Sequence, residues 1–190
     1  MFQIRVHGRG GQGVVTAADL LATAAFLEGK HAQAFPSFGS ERMGAPVVAF
    51  CRIASSEIRL REPILEPDAL IIQDATLFSS VAVFDGLSSC GYVLINSKRS
   101  PKEMGIGPSL EAFPSDHVLH LDAADIARQH IGRPIPNAVL LGAFAAQTGL
   151  LALESVKAAI SEKFPGTMGE KNNAAAAFAY EQVRGSQASC

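Results

Sequence analysis

Short apolar runs separated by turn residues predict strands alternating with helices along the chain. Seven segments bounded by Gly, Pro, Ser or Asp are predicted to be strands: 2–7, 31–35, 47–53, 57–60, 68–73, 92–96 and 118–121. The runs at 69–72 and 92–95 are apolar without a break, which is typical of strands covered on both faces of a parallel sheet. Segments 47–53 and 57–60 flank three small residues, a spacing that predicts a hairpin and thus an antiparallel edge. We therefore expect a mixed, mostly parallel sheet.

Helical periodicity with capping residues predicts five helices, at 14–28, 123–131, 138–148, 153–164 and 169–183. Asp122 is predicted to be the N-cap of the second helix and Asn137 that of the third. The helix at 138–148 is apolar almost all round, so it should lie in the core or in an interface. The alternation of elements predicts an α/β fold, a three-layer α/β/α single domain over residues 1–190.

A glycine-rich loop stands between the first predicted strand and the first predicted helix. The sequence Gly-Arg-Gly-Gly-Gln-Gly at 8–13 lets the backbone turn sharply, and the helix behind it directs the positive end of its dipole at the loop. The spacing of Gly8, Gly10 and Gly13 fits a Rossmann-like dinucleotide-binding loop, and a phosphate is the natural occupant. An ordinary NAD site is disfavoured because residues 31–36 contain no carboxylate for the ribose. A tight turn without a ligand is the alternative.

Composition narrows the function classes. Only 18% of the residues are charged while 48% are hydrophobic, against about 25% charged in an average soluble domain, which indicates large permanent interfaces. The net charge of −2 gives no basic footprint for nucleic acid. The longest apolar stretch, 138–146, is far shorter than the roughly 20 residues of a membrane span, and no apolar signal segment is seen. We expect a cytoplasmic protein.

The residues that usually carry chemistry are sparse. The three cysteines, Cys51, Cys90 and Cys190, are far apart, which argues for a reducing compartment and against zinc or a cysteine-ligated cluster. Cys51 and Cys90 are expected to be small buried apolar residues. No histidine pair has metal-ligand spacing and no nucleophile motif is present, so the residues alone indicate a binding and assembly module.

A second candidate segment follows the second predicted strand, at 33–46. It should lie beside the glycine loop at the carboxyl edge of the sheet, where ligands of open α/β sheets bind. Arg42 is a candidate for holding a phosphate or a partner carboxylate, with a surface ion pair to Glu41 or Glu57 as the alternative. Asp74, at the end of a buried strand, is assigned a structural role, either bonding the neighbouring loop or capping the segment that follows.

Taken together, these motifs resemble a known family. The loop at 8–13, Gln-Ala-Phe-Pro-x-Phe-Gly-x-Glu-Arg-x-Gly-Ala-Pro-Val at 33–47, Ile-Arg-Leu-Arg at 58–61 and Glu-Pro-Asp at 66–68 resemble the gamma subunit of the pyruvate:ferredoxin oxidoreductase family of 2-oxoacid oxidoreductases. Asn137 with residues 141–143, and the region 170–180, are similar to that family's later helices. Position 43 departs from the pattern, being Met where a basic residue is common.

The resemblance implies a subunit of an enzyme that oxidatively decarboxylates a 2-oxo acid on thiamine diphosphate and releases an acyl-CoA. It implies that thiamine diphosphate, magnesium and iron–sulfur clusters lie on partner subunits of alpha, beta and delta type, with ferredoxin or an NAD-reducing subunit as acceptor. This chain would then be scaffold and contribute to the coenzyme A site. Its candidate contacts are Gly10, Gly11, Gln12, Arg42 and Asn137.

Two functions of different classes remain open on the sequence. One is this accessory subunit, and the other is a free-standing Rossmann-type nucleotide-binding protein without catalytic partners. Asn137 likewise has two interpretations, a ligand contact or a simple N-cap.

The Arg42 hypothesis leads to a kinetic prediction. Replacing Arg42 by Ala removes one charge-assisted hydrogen-bonding group, worth about 1.5–3 kcal/mol, so the KM for coenzyme A should rise roughly 10- to 150-fold. Partial reactions that need only the 2-oxo acid and thiamine diphosphate should be nearly unchanged. An interface role would instead weaken assembly and lower every partial reaction together, which a measurement of complex integrity on the same preparation detects.

Overall fold

A six-stranded sheet organises the computed structural model, which describes residues 1–37 and 43–187. The strands run in the spatial order β2-β3-β1-β4-β5-β6. Their bounds are β1 Phe2–Arg9, β2 His31–Pro36, β3 Pro46–Ala54, β4 Ala69–Ile72, β5 Tyr92–Asn96 and β6 Val118–Leu121.

The sheet is mixed, as predicted, but its antiparallel member is not the expected one. β1, β4, β5 and β6 are parallel neighbours, whereas β3 pairs antiparallel with both β1 and β2. The predicted hairpin between 47–53 and 57–60 is wrong, because β3 already uses both of its hydrogen-bonding edges. Residues 57–60 have no strand structure, and Arg59 forms an exposed ion pair with Glu57 at 3.0 Å. The antiparallel strand is therefore internal rather than at the edge.

The predicted helices form, with ends shifted by a few residues at most. The long helices are α1 Val14–Leu27, α3 Ala123–Ile131, α4 Asn137–Thr148, α5 Leu153–Lys163 and α6 Thr167–Gln187. Asp122 caps α3 as predicted, accepting a 3.0 Å hydrogen bond from the amide of Asp125. Unpredicted elements are the one-turn helix α2 Gly107–Leu110 and the 3-10 helices Ala75–Ser79 and Ser115–His117.

The two faces of the sheet are covered unequally. One face packs against α1 and α3 to α6, through buried side chains that include Ile4, Cys51 and Ile71. Over β4 and β5, the other face packs against the 3-10 helix at 75–79, α2 and the loops near them. The predicted α/β class is confirmed, with short helices and loops in place of long helices as the third layer.

Helix α4 lies inside the chain. All its residues from Asn137 to Gln147 are buried, which decides between the two predicted locations in favour of the core. Its closest neighbour is α6, and a Cβ added at Gly142 would overlap the backbone carbonyl of Ala176. Much of the hydrophobic content of the chain is therefore buried in its own core.

The two cysteines that the structure describes differ in their exposure to solvent. Cys51 is fully buried as predicted, and burial raises the pKa of its thiol, but Cys90 is exposed and that prediction is wrong. Cys90 lies in a surface turn in which the Gly91 amide donates to the Ser88 carbonyl at 2.7 Å. Cys190 lies outside the described residues.

Among the helices of residues 1–37 and 43–187, none is long and apolar enough to cross a membrane.

The part of the sheet formed by β1 and β3 buries cations on the face away from the long helices. Arg5 is 9% exposed and donates to the carbonyls of Val83 and Asp85 at 2.9 and 2.6 Å. His7, on the same side of β1, is 4% exposed, and neither ring nitrogen has a hydrogen-bond partner within the described residues. Burial first, and then the charge of Arg5, lower the pKa of His7 to about 4. The imidazole is therefore neutral in the fold at neutral pH.

His7 should make stability depend on pH. Its ordinary pKa of 6.5 lies above the folded value of about 4, so the unfolded chain takes up the proton first as the pH falls. The free energy of unfolding should then decrease between about pH 6.5 and 4, by on the order of 3 kcal/mol. Urea unfolding across that range should show a shallower loss for His7→Gln than for the parent, whereas the exposed His31→Gln control should follow the parent. Parallel pH profiles for the His7 variant and the parent would refute this.

Candidate ligand-binding site

The glycine loop turns the chain from β1 into α1 within four residues. Gly11 and Gly13 have φ values of 92° and 75°, in the left-handed region that favours glycine. Gly8 is required for a different reason, since a Cβ there would lie 2.6 Å from Val14 Cγ2. The predicted need for glycines is thus explained by backbone conformation at two positions and by close packing at the third.

The first turn of α1 presents amide groups that have no acceptor among the described residues. Its first helical hydrogen bond runs from the Ala17 amide to the Gly13 carbonyl at 3.0 Å, so the N–H groups of residues 14–16 have no partner within the helix. No side chain caps this end and its first turn has no acidic residue. An open cavity of about 310 Å³ adjoins it, lined by Arg9, Gly10, Gly11, Gly13, Val14, Val15 and Val47. This end of α1 is suited to an anion.

Two of the three loop amides that the sequence nominated already have acceptors. The Gly10 amide donates to the Ala45 carbonyl at 2.9 Å, and the Gln12 amide donates to the Arg9 carbonyl at 3.0 Å. Among the described contacts, Gly11 is the nominated residue whose amide has no acceptor, and the other unpaired donors lie at the start of α1.

The side chain of Gln12 braces the loop. Its Oε1 accepts from the Arg9 amide and its Nε2 donates to Asp74 Oδ2, both at 2.8 Å. Asp74 Oδ1 accepts from the Thr76 amide at 2.9 Å, which confirms the structural role predicted for Asp74 as a loop partner and a cap. Partial burial would raise the pKa of Asp74, but hydrogen bonds from Thr76 and Gln12 outweigh it and lower that pKa below its ordinary value. The Asp74 carboxylate therefore stays charged and anchors the loop through Gln12.

Arg9 joins this brace to the segment before β3. Its Nε lies 3.3 Å from Asp74 Oδ2, and its Nη1 donates to the Gly44 carbonyl at 3.0 Å. The Gly44 amide in turn donates to the Gly10 carbonyl at 3.1 Å. As a result, residues 43–45 lie directly beside the glycine loop, as the sequence predicted.

Met43 stands at the edge of this contact. The Sδ of Met43 lies 2.5 Å from the point where a Cβ on Gly11 would stand, and the residue is 88% exposed. Arg42, the candidate phosphate ligand, lies outside the described residues.

Asn137 is not the N-cap that its sequence position suggested. It is the first residue of α4, the cap position is Pro136, and its side chain makes no cap hydrogen bond. Instead, Asn137 Nδ2 donates to the Gly13 carbonyl at 3.0 Å, and its Oδ1 accepts from Gln73 Nε2 at 2.9 Å. The Asn137 side chain bonds the Gly13 carbonyl instead of capping α4. Cap preferences are local, so they cannot predict a partner that is far away in sequence.

Sequence reasoning missed Gln73, Arg9 and Thr76. Gln73 is 2% exposed and directly follows β4. The available signal was a polar residue at the end of the apolar run 69–72, on the carboxyl side of a buried strand.

His117 and His120 have separate partners. His117 Nδ1 lies 3.0 Å from the Cys90 carbonyl and His120 Nδ1 lies 3.4 Å from the Ser97 carbonyl. No group of three or more potential metal ligands is found in the described part of the chain.

Comparison with known proteins gives consistent matches over nearly the whole chain. Residues 3–182 match the model of the pyruvate ferredoxin/flavodoxin oxidoreductase family. The pyruvate synthase subunit PorC of Methanocaldococcus jannaschii is 49% identical over 183 residues, covering 96% of this chain and 97% of the relative. The pyruvate/ketoisovalerate oxidoreductases common subunit gamma of Pyrococcus abyssi is 48% identical over 184 residues, covering 97% and 98%.

Solved structures share the fold. The crystal structure of the pyruvate oxidoreductase subunit PORC of Thermotoga maritima superposes with a TM-score of 0.78 at 37% identity, covering 95% of each chain. At 18% identity and a TM-score of 0.70, the fold also matches 31% of the chain of a 2-oxoglutarate:ferredoxin oxidoreductase from Magnetococcus marinus, solved with 2-oxoglutarate, coenzyme A and succinyl-CoA bound.

Proposed function

The chain belongs to the pyruvate ferredoxin/flavodoxin oxidoreductase family and is the gamma subunit of a 2-oxoacid:ferredoxin oxidoreductase, and on that premise we propose that it supplies part of the coenzyme A site of the complex. The alternative, a free-standing nucleotide-binding protein, is set aside. The relatives that this chain matches over nearly their full length are named as subunits of oxidoreductases.

The observation that supports the coenzyme A assignment is the uncapped start of α1. Coenzyme A carries a diphosphate and a ribose phosphate, and both are anions that unpaired helix amides can bind. The open cavity at this end brings the amides of the first turn within reach of a ligand, and the first turn holds no carboxylate that would repel it.

The contacts are divided between backbone and side chains. We assign direct phosphate binding to Gly11 and the first amides of α1, and we assign Gly10 and Gln12 to the shape of the loop, since their amides already have acceptors. Arg42 is proposed as the charged partner of a phosphate, because its neighbour in sequence, Met43, lies against Gly11.

The redox cofactors are proposed to lie on other subunits. Three cysteines cannot supply the four thiolates that an iron–sulfur cluster of the ordinary type needs. Thiamine diphosphate, magnesium and the clusters are therefore placed on partner chains of alpha, beta and delta type, with ferredoxin or an NAD-reducing subunit as acceptor. Free thiols at Cys51 and Cys90 suit a reducing compartment, so we place the complex in the cytoplasm.

The choice of 2-oxo acid is proposed to lie elsewhere in the complex. The Pyrococcus abyssi relative is named as a subunit common to pyruvate and ketoisovalerate oxidoreductases. A gamma subunit shared by enzymes for two substrates does not select between them, and we extend that property to this chain.

A charge placed in the first turn of α1 tests the anion site. Val15 is half-buried and lines the cavity, so Val15→Glu should repel a bound phosphate by about 1–3 kcal/mol and raise the KM for coenzyme A roughly 5- to 150-fold. The KM for the 2-oxo acid should stay within twofold. Steady-state kinetics of the assembled oxidoreductase measures both constants.

Val15→Gln is the matched control, since it has the same size without the charge. A carboxylate at a helix N-terminus favours the helix, so the Glu variant should unfold at a temperature no lower than the Gln variant. Equal coenzyme A constants in the two variants would remove the anion site from this end of α1.

A further inference from the structure

Two buried carboxamides connect the interior of the sheet to the start of α1. Gln73 is 2% exposed and Asn137 is 6% exposed. Gln73 Nε2 donates to Asn137 Oδ1 at 2.9 Å, and Asn137 Nδ2 donates to the Gly13 carbonyl at 3.0 Å. The relay joins β4, α4 and the glycine loop, which are far apart in sequence.

The relay has a fixed direction. A carboxamide has a donor end and an acceptor end, so the hydrogen bond from Gln73 to Asn137 Oδ1 leaves Nδ2 facing Gly13. The backbone of Gln73 is itself held, because its amide donates to the His7 carbonyl and its carbonyl accepts from Asn96 Nδ2, both at 2.8 Å. The Gly13 carbonyl can only accept, so it also requires Nδ2 on its side, and the two partners of Asn137 select the same amide orientation.

The Gly13 carbonyl controls where an amide of the site points. This carbonyl is held twice, by the Ala17 amide and by Asn137 Nδ2, each at 3.0 Å. It belongs to the same trans peptide as the N–H of Val14, and in a trans peptide these two groups point in opposite directions. Since the carbonyl is directed at buried Asn137, the Val14 N–H is directed away from it, on the side of the cavity that Val14 lines.

We propose that Gln73 is a positioning residue for coenzyme A, which it does not touch. By holding Asn137 Oδ1, Gln73 keeps the Asn137 carboxamide seated against the Gly13 carbonyl, which fixes the plane of the 13–14 peptide and thereby aims the Val14 N–H at the phosphate. This inference rests on the proposed function, and it adds a residue that the sequence did not nominate.

The test uses Gln73→Met in the assembled oxidoreductase, because Met keeps the volume and removes the donor. The KM for coenzyme A should rise about 3- to 30-fold, while kcat and the KM for the 2-oxo acid stay within twofold.

Gln147→Met is the matched control. Gln147 is also buried, at 7% exposed, and its Nε2 donates to the His117 carbonyl at 2.9 Å, but it lies at the opposite end of α4. Both variants lose a buried amide donor, and the one in Gln147 also lies 3.4 Å from the Val93 carbonyl, so Gln147→Met should lose at least as much thermal stability. Only Gln73→Met should change the KM for coenzyme A.

A double variant tests whether Gln73 acts through Asn137. If it does, Asn137→Ala together with Gln73→Met should raise the KM for coenzyme A no more than Asn137→Ala alone. Effects that multiply would show that the two side chains act independently, and this would overturn the proposal.

The Val15 variants distinguish a failure of the positioning role from a failure of the proposed coenzyme A site. If Val15→Glu raises the KM for coenzyme A and Gln73→Met behaves like Gln147→Met, the positioning role is overturned and the proposed function stands. If neither substitution moves the constant, the coenzyme A site itself is misplaced, and the positioning role falls with it.

Discussion

The passage from β1 to α1 must be completed by residues 10–13, and this constraint organises the surrounding chain. A four-residue turn with two left-handed glycines has little intrinsic stability, since glycine loses more conformational freedom on folding than any other residue. The fold holds the turn from outside with side chains from distant elements. Gln12 and Arg9 tie it to Asp74 after β4, and Asn137 ties it to α4. The site is therefore held by residues that would not contact a ligand.

This arrangement separates binding from shaping within one motif. In a glycine-rich loop, the simplest expectation is that every amide faces the phosphate. Here the Gln12 amide bonds to Arg9, the Gly10 amide bonds to the Ala45 carbonyl, and the carboxamide of Gln12 turns toward Asp74. Binding capacity is left to Gly11 and the helix start. In the proposed assignment, the residues that shape the loop and the residues that bind the phosphate are therefore different.

The sequence predicted well those features whose causes are local. Helix α3 was located to the residue because its cap, Asp122, and its terminal glycine are both within the segment. The family was recognised from its motifs, and the family match and relatives confirm it. The failures share a distant cause. The segment 57–60 had strand character, but β3, the strand it was predicted to pair with, had no free edge, and Asn137 is a residue type that often caps helices but has a carbonyl partner 124 residues away. The role proposed for Gln73 depends on its contact with Asn137 and on the contact of Asn137 with Gly13, so the local signal marks the residue but not that role.

The burial of α4 also matters while the chain is being synthesised. Helix α4 is apolar on every side, and the surface that covers its outer flank belongs largely to α6, the 21-residue helix Thr167–Gln187. Synthesis produces α4 before α6, so the growing chain carries an uncovered apolar helix until about forty more residues have been added, which at 5–20 residues per second lasts for seconds. During that interval the uncovered helix favours aggregation of the nascent chain. A chain interrupted after α5 would keep its sheet-forming residues and still expose a helix that the folded chain buries from Asn137 to Gln147.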